Sequence, residues 1–279
     1  MQITIAIPDS AVLDCTDIRT KTEKIFQIAR IAAIFRVQDI LVYHDPFLKP
    51  TRAGRERRII TRILQYVECP QYLRKRLFPL SRDTSAVGIL SPLATPHHIR
   101  SRELKSDEIR EAAIFLNQNR VVADVGGTQL LEVISPPSKS LLNKTLRVTT
   151  KIRKTKDGFK AIVLPKAPEN LYWGFSVHTS TTTLGKSLVN RSGFKIATSR
   201  SCQPISSFSA DMGRNDSYLI AFGGPYQGIP EMVKAEGKKV SDLFDHCFNI
   251  LQNYGTRSLR LEEAIMITFS KLEDQLNYK

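Results

Sequence analysis

Two short apolar runs, each stopping at a turn of small residues, constrain this chain most. The first is Tyr218-Leu-Ile-Ala-Phe-Gly-Gly-Pro-Tyr-Gln-Gly-Ile229, and the second is Phe248-Asn-Ile-Leu-Gln-Asn-Tyr-Gly-Thr-Arg-Ser-Leu-Arg-Leu-Glu-Glu-Ala264. A buried strand of an α/β sheet delivers its loop to the carboxyl edge in this way, and ligands bind at that edge. Gly223, Gly224 and Gly228 are expected to adopt φ > 0 and to admit a ligand close to the backbone, with Pro225 stiffening the turn. After Gly255, Thr256 or Ser258 is expected to cap a helix. Its apolar face is Leu261, Ile265, Phe269, Leu272 and Leu276, and Glu262 and Glu263 suit its positive N-terminal end.

The other segments fit around these two. Ile3, Ile5 and Ile7 alternate with Gln2, Thr4 and Ala6 as in a strand, and Pro8 ends the run. A helix is expected from about Asp17 to Phe35, with Ile25, Ile28, Ala32 and Phe35 on one face. Asp39 to Tyr43 is then a second strand, so the chain opens β-α-β. Arg55 to Val67 has helical periodicity, Pro70 breaks it, and Gln71 to Phe78 continues as a short basic helix. Leu171 to Val177 is expected as a core strand, and Thr179 to Thr183 as the cap of the helix carrying Leu184, Leu188 and Val189.

Between Ser91 and Pro168 the texture changes to short strand-like runs bordered by prolines: Arg120–Val125, Gln129–Ile134, Thr145–Thr149 and Phe159–Leu164. Lys156-Asp-Gly158 is a hairpin signal. Gly126-Gly127 sits in a glycine-rich string, Val122 to Thr128, of the kind that opens Rossmann-type cofactor sites. Gln129 stands where a further glycine is needed and no helix follows, so a hairpin turn is the reading here. Strands at this spacing make a small barrel, and an OB-like fold suits nucleic acid.

The chain has 279 residues, enough for one large α/β domain with an inserted module. The expected division is 1–91 as the first part of the α/β domain, including the basic helical segment 55–78; 92–167 as the barrel; and 168–279 as the second part. No apolar run is long enough to span a membrane and no leader precedes the first strand, which points to a cytoplasmic protein. Cys15, Cys69, Cys202 and Cys247 lack the spacing of zinc or redox sites and are expected as buried or free thiols. The five histidines have no metal-ligand spacing, so no metal is expected.

The formal net charge is +14, and it is unevenly distributed. Residues 51–82 hold nine Lys/Arg against two acids, an excess of +7, and residues 144–160 hold seven against one, an excess of +6. Residues 196–279 hold nine basic and ten acidic residues, an excess of −1. One part of the chain is thus suited to gripping phosphates and another to chemistry. Arg55, Arg57, Arg58 and Arg62 on the helix, with Lys151, Arg153, Lys154 and Lys156 in the barrel, are the candidate RNA contacts.

The pattern Gly223-Gly-Pro-x-x-Gly-Ile229 followed by Gly255-Thr-Arg-Ser-x-Arg-x-Glu-Glu-Ala264, with Phe194-Lys-Ile-Ala-Thr-Ser-Arg200 before them, resembles the cofactor loops of SPOUT-class RNA methyltransferases. It is most similar to an archaeal and eukaryotic family of that class with a β-barrel insertion. The resemblance implies a knotted α/β sheet carrying an OB-like barrel, a homodimer, and S-adenosylmethionine bound by Thr198, Ser199, Arg200, Gly223, Gly224, Pro225, Gly228, Ile229, Asn253, Gly255, Thr256 and Ser258. It implies methylation of an RNA base, in ribosomal RNA, with uridine N3 suggested by eukaryotic relatives. Arg200 and Arg257 are the polar groups on these loops suited to orienting a base or steadying its developing charge. The other reading is a catalytically silent RNA-binding or ribosome-assembly factor on the same scaffold.

Overall fold

In the computed structural model, which describes residues 1–137, 142, 144–205 and 215–273, the chain forms two compact units. One comprises residues 1–65, 82–90 and 175–279, the other 66–81 and 91–174. Along the chain run β1 (Gln2–Pro8), α1 (Ile18–Ile34), β2 (Asp39–His44), α2 (Pro50–Glu68), α3 (Gln71–Leu77), β3 (Ile109–Asn117), β4 (Arg120–Asp124) and β5 (Leu131–Ile134). They are followed by β6 (Leu146–Thr155), β7 (Gly158–Val163), β8 (Ser176–Thr183), α4 (Leu184–Leu188), β9 (Phe194–Pro204), β10 (Ser217–Ala221), α5 (Ile229–Ala235), β11 (His246–Asn249) and α6 (Leu261–Leu272). The fold is mixed α/β, with one parallel sheet and one closed barrel.

The first unit is built on a six-stranded parallel sheet in the order β11-β9-β10-β1-β2-β8. Every residue of β1 except Gln2 is buried. Ala6, Leu41, Leu219 and Ala221 pack with Ile229, Met232 and Val233 of α5 and with Leu184 and Leu188 of α4. Their neighbours Ile5, Ile7, Ile40, Val42 and Ile220 are equally buried, so both faces of the sheet are covered, as a parallel sheet requires. Asp17 caps α1, its carboxylate accepting the N–H groups of Arg19 and Thr20 at 2.8 and 2.9 Å. Phe35 stacks on Phe269 with ring centroids 5.2 Å apart, bringing α1 and α6 together.

Several expectations are corrected here. Leu171 to Phe175 is not strand, and the polar stretch Thr179 to Thr183 is the end of β8; its last residue, Thr183, does stand at the N-cap of α4, as expected, but without a side-chain cap hydrogen bond. Among the described residues β8 pairs only with β2, at the sheet edge, and it has no fully buried residue, so nothing selects apolar side chains there. Neither Thr256 nor Ser258 caps α6. The helix starts at Leu261, and the Glu263 carboxylate accepts the Arg260 N–H at 2.8 Å. Leu261, Ile265, Phe269 and Leu272 are buried as expected, while Leu276 lies outside the described residues.

In the second unit five strands close in the order β3-β4-β5-β7-β6, every pair antiparallel except β5 with β7. Ala112, Ile114, Ala123, Leu131, Val133, Ile152 and Ala161 fill the interior. Gly158 closes the β6–β7 hairpin with φ of 117°, and Gly126 turns β4 toward β5 with φ of 76°. A Cβ on Gly126 would lie 2.5 Å from the Tyr72 ring of α3. β3 had no counterpart among the expected strands. It carries Arg110 and Glu111, which look like surface residues, yet the Arg110 side chain is fully buried and donates to the carbonyls of Ser101 (2.9 Å) and Glu103 (2.6 Å).

A buried ionic network closes this unit beside the barrel. Arg147 on β6 bonds Glu68 at the end of α2 through both terminal nitrogens, and its Nε donates to Glu111 at 2.7 Å. Trp173 and Thr149 donate to the other Glu111 oxygen, both at 2.7 Å, and His97 and His98 both reach the Glu68 carbonyl, at 2.9 and 2.7 Å. Burial opposes ionisation of Glu68, but His97 and Arg147 overcome it and hold the carboxyl at about 2. Burial pushes the His98 imidazole from 6.5 down to about 4. Both shifts make acid destabilising. As pH falls from 6.5 to about 4 the unfolded chain binds a proton at His98 that the folded unit refuses, and from 4.5 to about 2 the same holds at Glu68. The stability is therefore complete above pH 6.5 and is lost progressively below it, with a loss on the order of 3 kcal/mol through His98 alone. Thermal unfolding followed against pH is expected to show that decline, and His98→Asn is expected to flatten it between pH 6.5 and 4.

Candidate active site

The carboxyl ends of the central strands open into a cavity of about 860 Å³. Its walls come from the connection after β1 and the first turns of α1, from residues 198–201 of β9, from the loop after β10, from the end of β11, and from the start of α6. Three segments expected from the sequence to act together, around positions 198–200, 223–228 and 249–258, meet here.

Each wall has a local cause. β9 carries the Phe194 to Arg200 stretch and runs on to Pro204. Its pairing with β11 jumps from Ala197↔Cys247 to Gln203↔Phe248, so residues 198–202 bulge from the ladder toward the cavity. Thr198 anchors the bulge by donating to the Ala221 carbonyl at 3.0 Å. A disulfide between Cys202 and Cys247 fixes its far end, which corrects the expectation of free thiols at those two positions; the register of β9 and β11 brings their Cα atoms to 5.6 Å. Cys15 and Cys69 remain free.

The loop after β10 is held from below. Tyr43 donates to the Phe222 carbonyl at 2.7 Å, and the Gly224 N–H closes the loop on the Gln227 carbonyl at 2.8 Å. Gly223, Gly224 and Gly228 do not have positive φ, contrary to expectation. The first two are required by packing within the protein itself. A Cβ on Gly223 would lie 2.8 Å from Gly228 Cα, and one on Gly224 would lie 2.6 Å from Ser10 Oγ. Ser10 belongs to a buried cluster in which it donates to Asp45, while Asp9 accepts from the Asp45 N–H at 3.0 Å and from Arg57 at 3.0 Å. Burial raises the Asp9 carboxyl even against those donors.

Of the residues singled out from sequence, Thr198, Ser199, Arg200, Gly223, Gly224, Pro225, Gly228 and Ser258 line the large cavity. Asn253, Gly255, Thr256 and Arg257 line a second hollow of about 620 Å³, and Arg200, Asn249, Leu251 and Tyr254 are common to both. Ile229 lies apart from both, fully buried in the core at the start of α5. Among the basic residues, Arg55, Arg153, Lys154 and Lys156 are exposed. Arg57 is half-buried and bonded to Asp9 and the Ser180 carbonyl, Arg62 is half-buried, Arg58 pairs with Asp83 at 2.8 Å, and Lys151 pairs with Asp107 at 2.8 Å. Sequence reasoning missed the α1 wall, where Thr20, Glu23, Lys24 and Gln27 face the cavity. Spacings of three and four along a helix were the available signal, but a polar helix face ordinarily reads as solvated. Among the described residues no group of three or more His, Cys, Asp or Glu is arranged to hold a metal ion, and no helix is long and apolar enough to cross a membrane.

Residues 2–272 match the family described as "Putative RNA methyltransferase". The chain is 30% identical to the 28S rRNA (uridine-N(3))-methyltransferase of Drosophila melanogaster, over 98% of this chain and 62% of the fly protein. It is 29% identical to the human protein of the same name, over 98% of this chain and 78% of that one. It is also 28% identical to a protein of Halobacterium salinarum over 98% and 99% of the two chains. The chain thus spans under two thirds of the fly relative and nearly all of the archaeal one. With the family match covering almost its whole length, this chain belongs to that family of RNA methyltransferases.

Proposed function

We propose that this protein transfers the methyl group of S-adenosylmethionine to N3 of a uridine in large ribosomal RNA. The single observation that carries the reading is the convergence of three loops, far apart in sequence, on one cavity at the carboxyl edge of the parallel sheet. The names of the fly and human relatives support the base and the RNA.

The cavity fits such a cofactor. Its volume of about 860 Å³ lies within the roughly 300–1,000 Å³ of small-molecule sites, and it combines apolar surface from Phe222, Ile250 and Leu261 with backbone groups of the glycine loop. Thr198 to Arg200, Gly223 to Gly228, and Ser258 would hold it through backbone groups, which leaves the Arg200 side chain free for the acceptor, with Asn253, Gly255 and Thr256 at its margin. When bound, S-adenosylmethionine supplies an electrophilic methyl group. The chain's task is then to align the acceptor, and Arg200, which borders both hollows, and Arg257 are suited to orient the base. The strand order of the barrel supports an OB-like fold, and with the charge excess of residues 144–160 it supports RNA binding there. A SPOUT-type knot in the sheet, a homodimer and a cytoplasmic location belong to the same reading. The apolar face of α6 is buried within the chain, so the dimer contact would use other residues.

Calorimetric titration with S-adenosylmethionine tests the cofactor assignment. Arg200→Ala and Arg257→Ala are expected to lower kcat about a hundredfold with cofactor affinity nearly unchanged, since both side chains are exposed and act on the acceptor. Loss of affinity with kcat intact would reverse their roles. Tight cofactor binding with no methyl transfer to any RNA would leave the silent assembly factor as the function.

A further inference from the structure

The cavity has a wall that the three loops do not account for. We propose that the polar face of α1 is the subsite for the flipped target base, and that Glu23 accepts the proton of its N3–H; this rests on the uridine N3 reading above. Thr20, Glu23 and Gln27 stand at i, i+3 and i+7 of α1, so one face presents a hydroxyl, a carboxylate and an amide to the cavity. The Watson–Crick edge of uracil is acceptor, donor, acceptor; Glu23 and Gln27 offer an acceptor for its N3–H and a donor for one flanking carbonyl, while the Thr20 hydroxyl donates to the Asp17 carbonyl at 3.1 Å in the helix cap. Tyr226, 70% exposed on the glycine loop, hydrogen-bonds the Leu13 carbonyl at 3.4 Å and supplies an aromatic surface on which a base can stack.

Four carboxylates line the cavity, and their surroundings separate them. Asp14 is bonded at 2.6 Å to Lys24, which is 5% exposed and also lies 3.4 Å from Glu262. Glu262, on α6, is 93% buried, and its Oε2 is the atom that faces the Lys24 ammonium. Glu231 stands in the first turn of α5, its Oε2 2.8 Å from where a Cβ of Gly228 would stand. Glu23 and Glu231 are both exposed, but Glu23 stands on the α1 face with Gln27, and among the described residues it is held by an exposed i,i+4 pair with Arg19 at 3.2 Å, which contributes little and exchanges readily. Of the cations on the cavity, Lys24 is engaged by Asp14, and Arg200 and Arg260 belong to other walls, β9 and the residue before α6.

A proton acceptor is required by the chemistry. The N3 lone pair of uracil is delocalised into two carbonyls, so a methyl group is accepted only as the N–H bond is given up. The N3–C bond forms as the C–S bond of the sulfonium breaks, the N3 proton passes to the Glu23 carboxylate, and the cofactor leaves as a neutral thioether.

Glu23→Gln in the full chain tests this, because Glu23 is exposed and its amide is isosteric. The thermal midpoint and the calorimetric affinity for S-adenosylmethionine are expected to stay within about twofold, while transfer to a large-subunit rRNA transcript at neutral pH falls about a thousandfold. The variant's rate should then climb about tenfold per pH unit as N3–H ionises unaided, where wild type levels off. A transcript carrying 5-fluorouridine, with its more acidic N3–H, should rescue the variant more than wild type. Independently of turnover, wild type should bind oligouridine about tenfold tighter than an oligomer of 3-methyluridine, and the variant should not discriminate. A variant with wild-type rate and pH profile overturns the proton role, and loss of cofactor affinity instead assigns Glu23 to the cofactor. Equal binding of the two oligomers by wild type overturns the base subsite, even if no methyl transfer is found; discrimination without transfer would count against the proposed reaction alone.

Discussion

Gly223→Ala is expected to weaken S-adenosylmethionine binding by roughly ten- to a hundredfold while leaving the barrel unit folded. The added Cβ would lie 2.8 Å from Gly228 Cα, 2.9 Å from the Gln227 carbonyl oxygen and 3.1 Å from the Gly228 carbonyl carbon. All three are backbone atoms, which cannot rotate away, so the loop from Gly223 to Gly228 must open. Overpacking of this kind costs about 1–3 kcal/mol, which appears in affinity if the cofactor needs the closed loop. Gly224→Leu should act more strongly, because its Cβ meets Ser10 Oγ at 2.6 Å and Ser10 is hydrogen-bonded to buried Asp45. Gly54→Ala, in α2 with nothing within 4 Å of the added atom, is the control and should bind normally. Calorimetry decides, and full affinity in Gly224→Leu would move the cofactor to another part of the molecule.

The second large effect is expected on RNA. Replacing Lys151, Arg153, Lys154 and Lys156 by Gln should lower RNA affinity on the order of a hundredfold at low salt and reduce the slope of log K against log salt by about 2–3. The slope change falls short of four full contacts because Lys151 is already paired with Asp107. Cofactor affinity should not change. An unaltered salt slope in a filter-binding or anisotropy series would remove the barrel from the RNA interface.

What the sequence made legible depended on how local the cause was. β1, α1, β2 and the two glycine turns follow from periodicity, caps and small residues within a few positions, and they appear where expected. β3 was hidden because the partners that make Arg110 a core residue, the carbonyls of Ser101 and Glu103, come from chain with no secondary-structure signal of its own. β8 was hidden because an edge strand lacks the apolar pattern by which strands are found. The Cys202–Cys247 disulfide depends on the register of β9 against β11, across 45 residues of sequence. In the cavity, the glycine loops announced themselves, but the reason for Gly223 and Gly224 is contact with backbone and with Ser10, which no local pattern reveals. The α1 wall is the extreme case, since Thr20, Glu23 and Gln27 become a site only through the cavity they face.

The most direct test of the central claim is transfer of labelled methyl from S-adenosylmethionine to total RNA from cells lacking the gene, with the product mapped by nucleoside mass spectrometry. The account predicts label in the large ribosomal RNA, recovered as 3-methyluridine at a discrete position and abolished by Gly224→Leu. Label confined to another nucleoside, or no incorporation into any RNA fraction despite measurable cofactor binding, would contradict it.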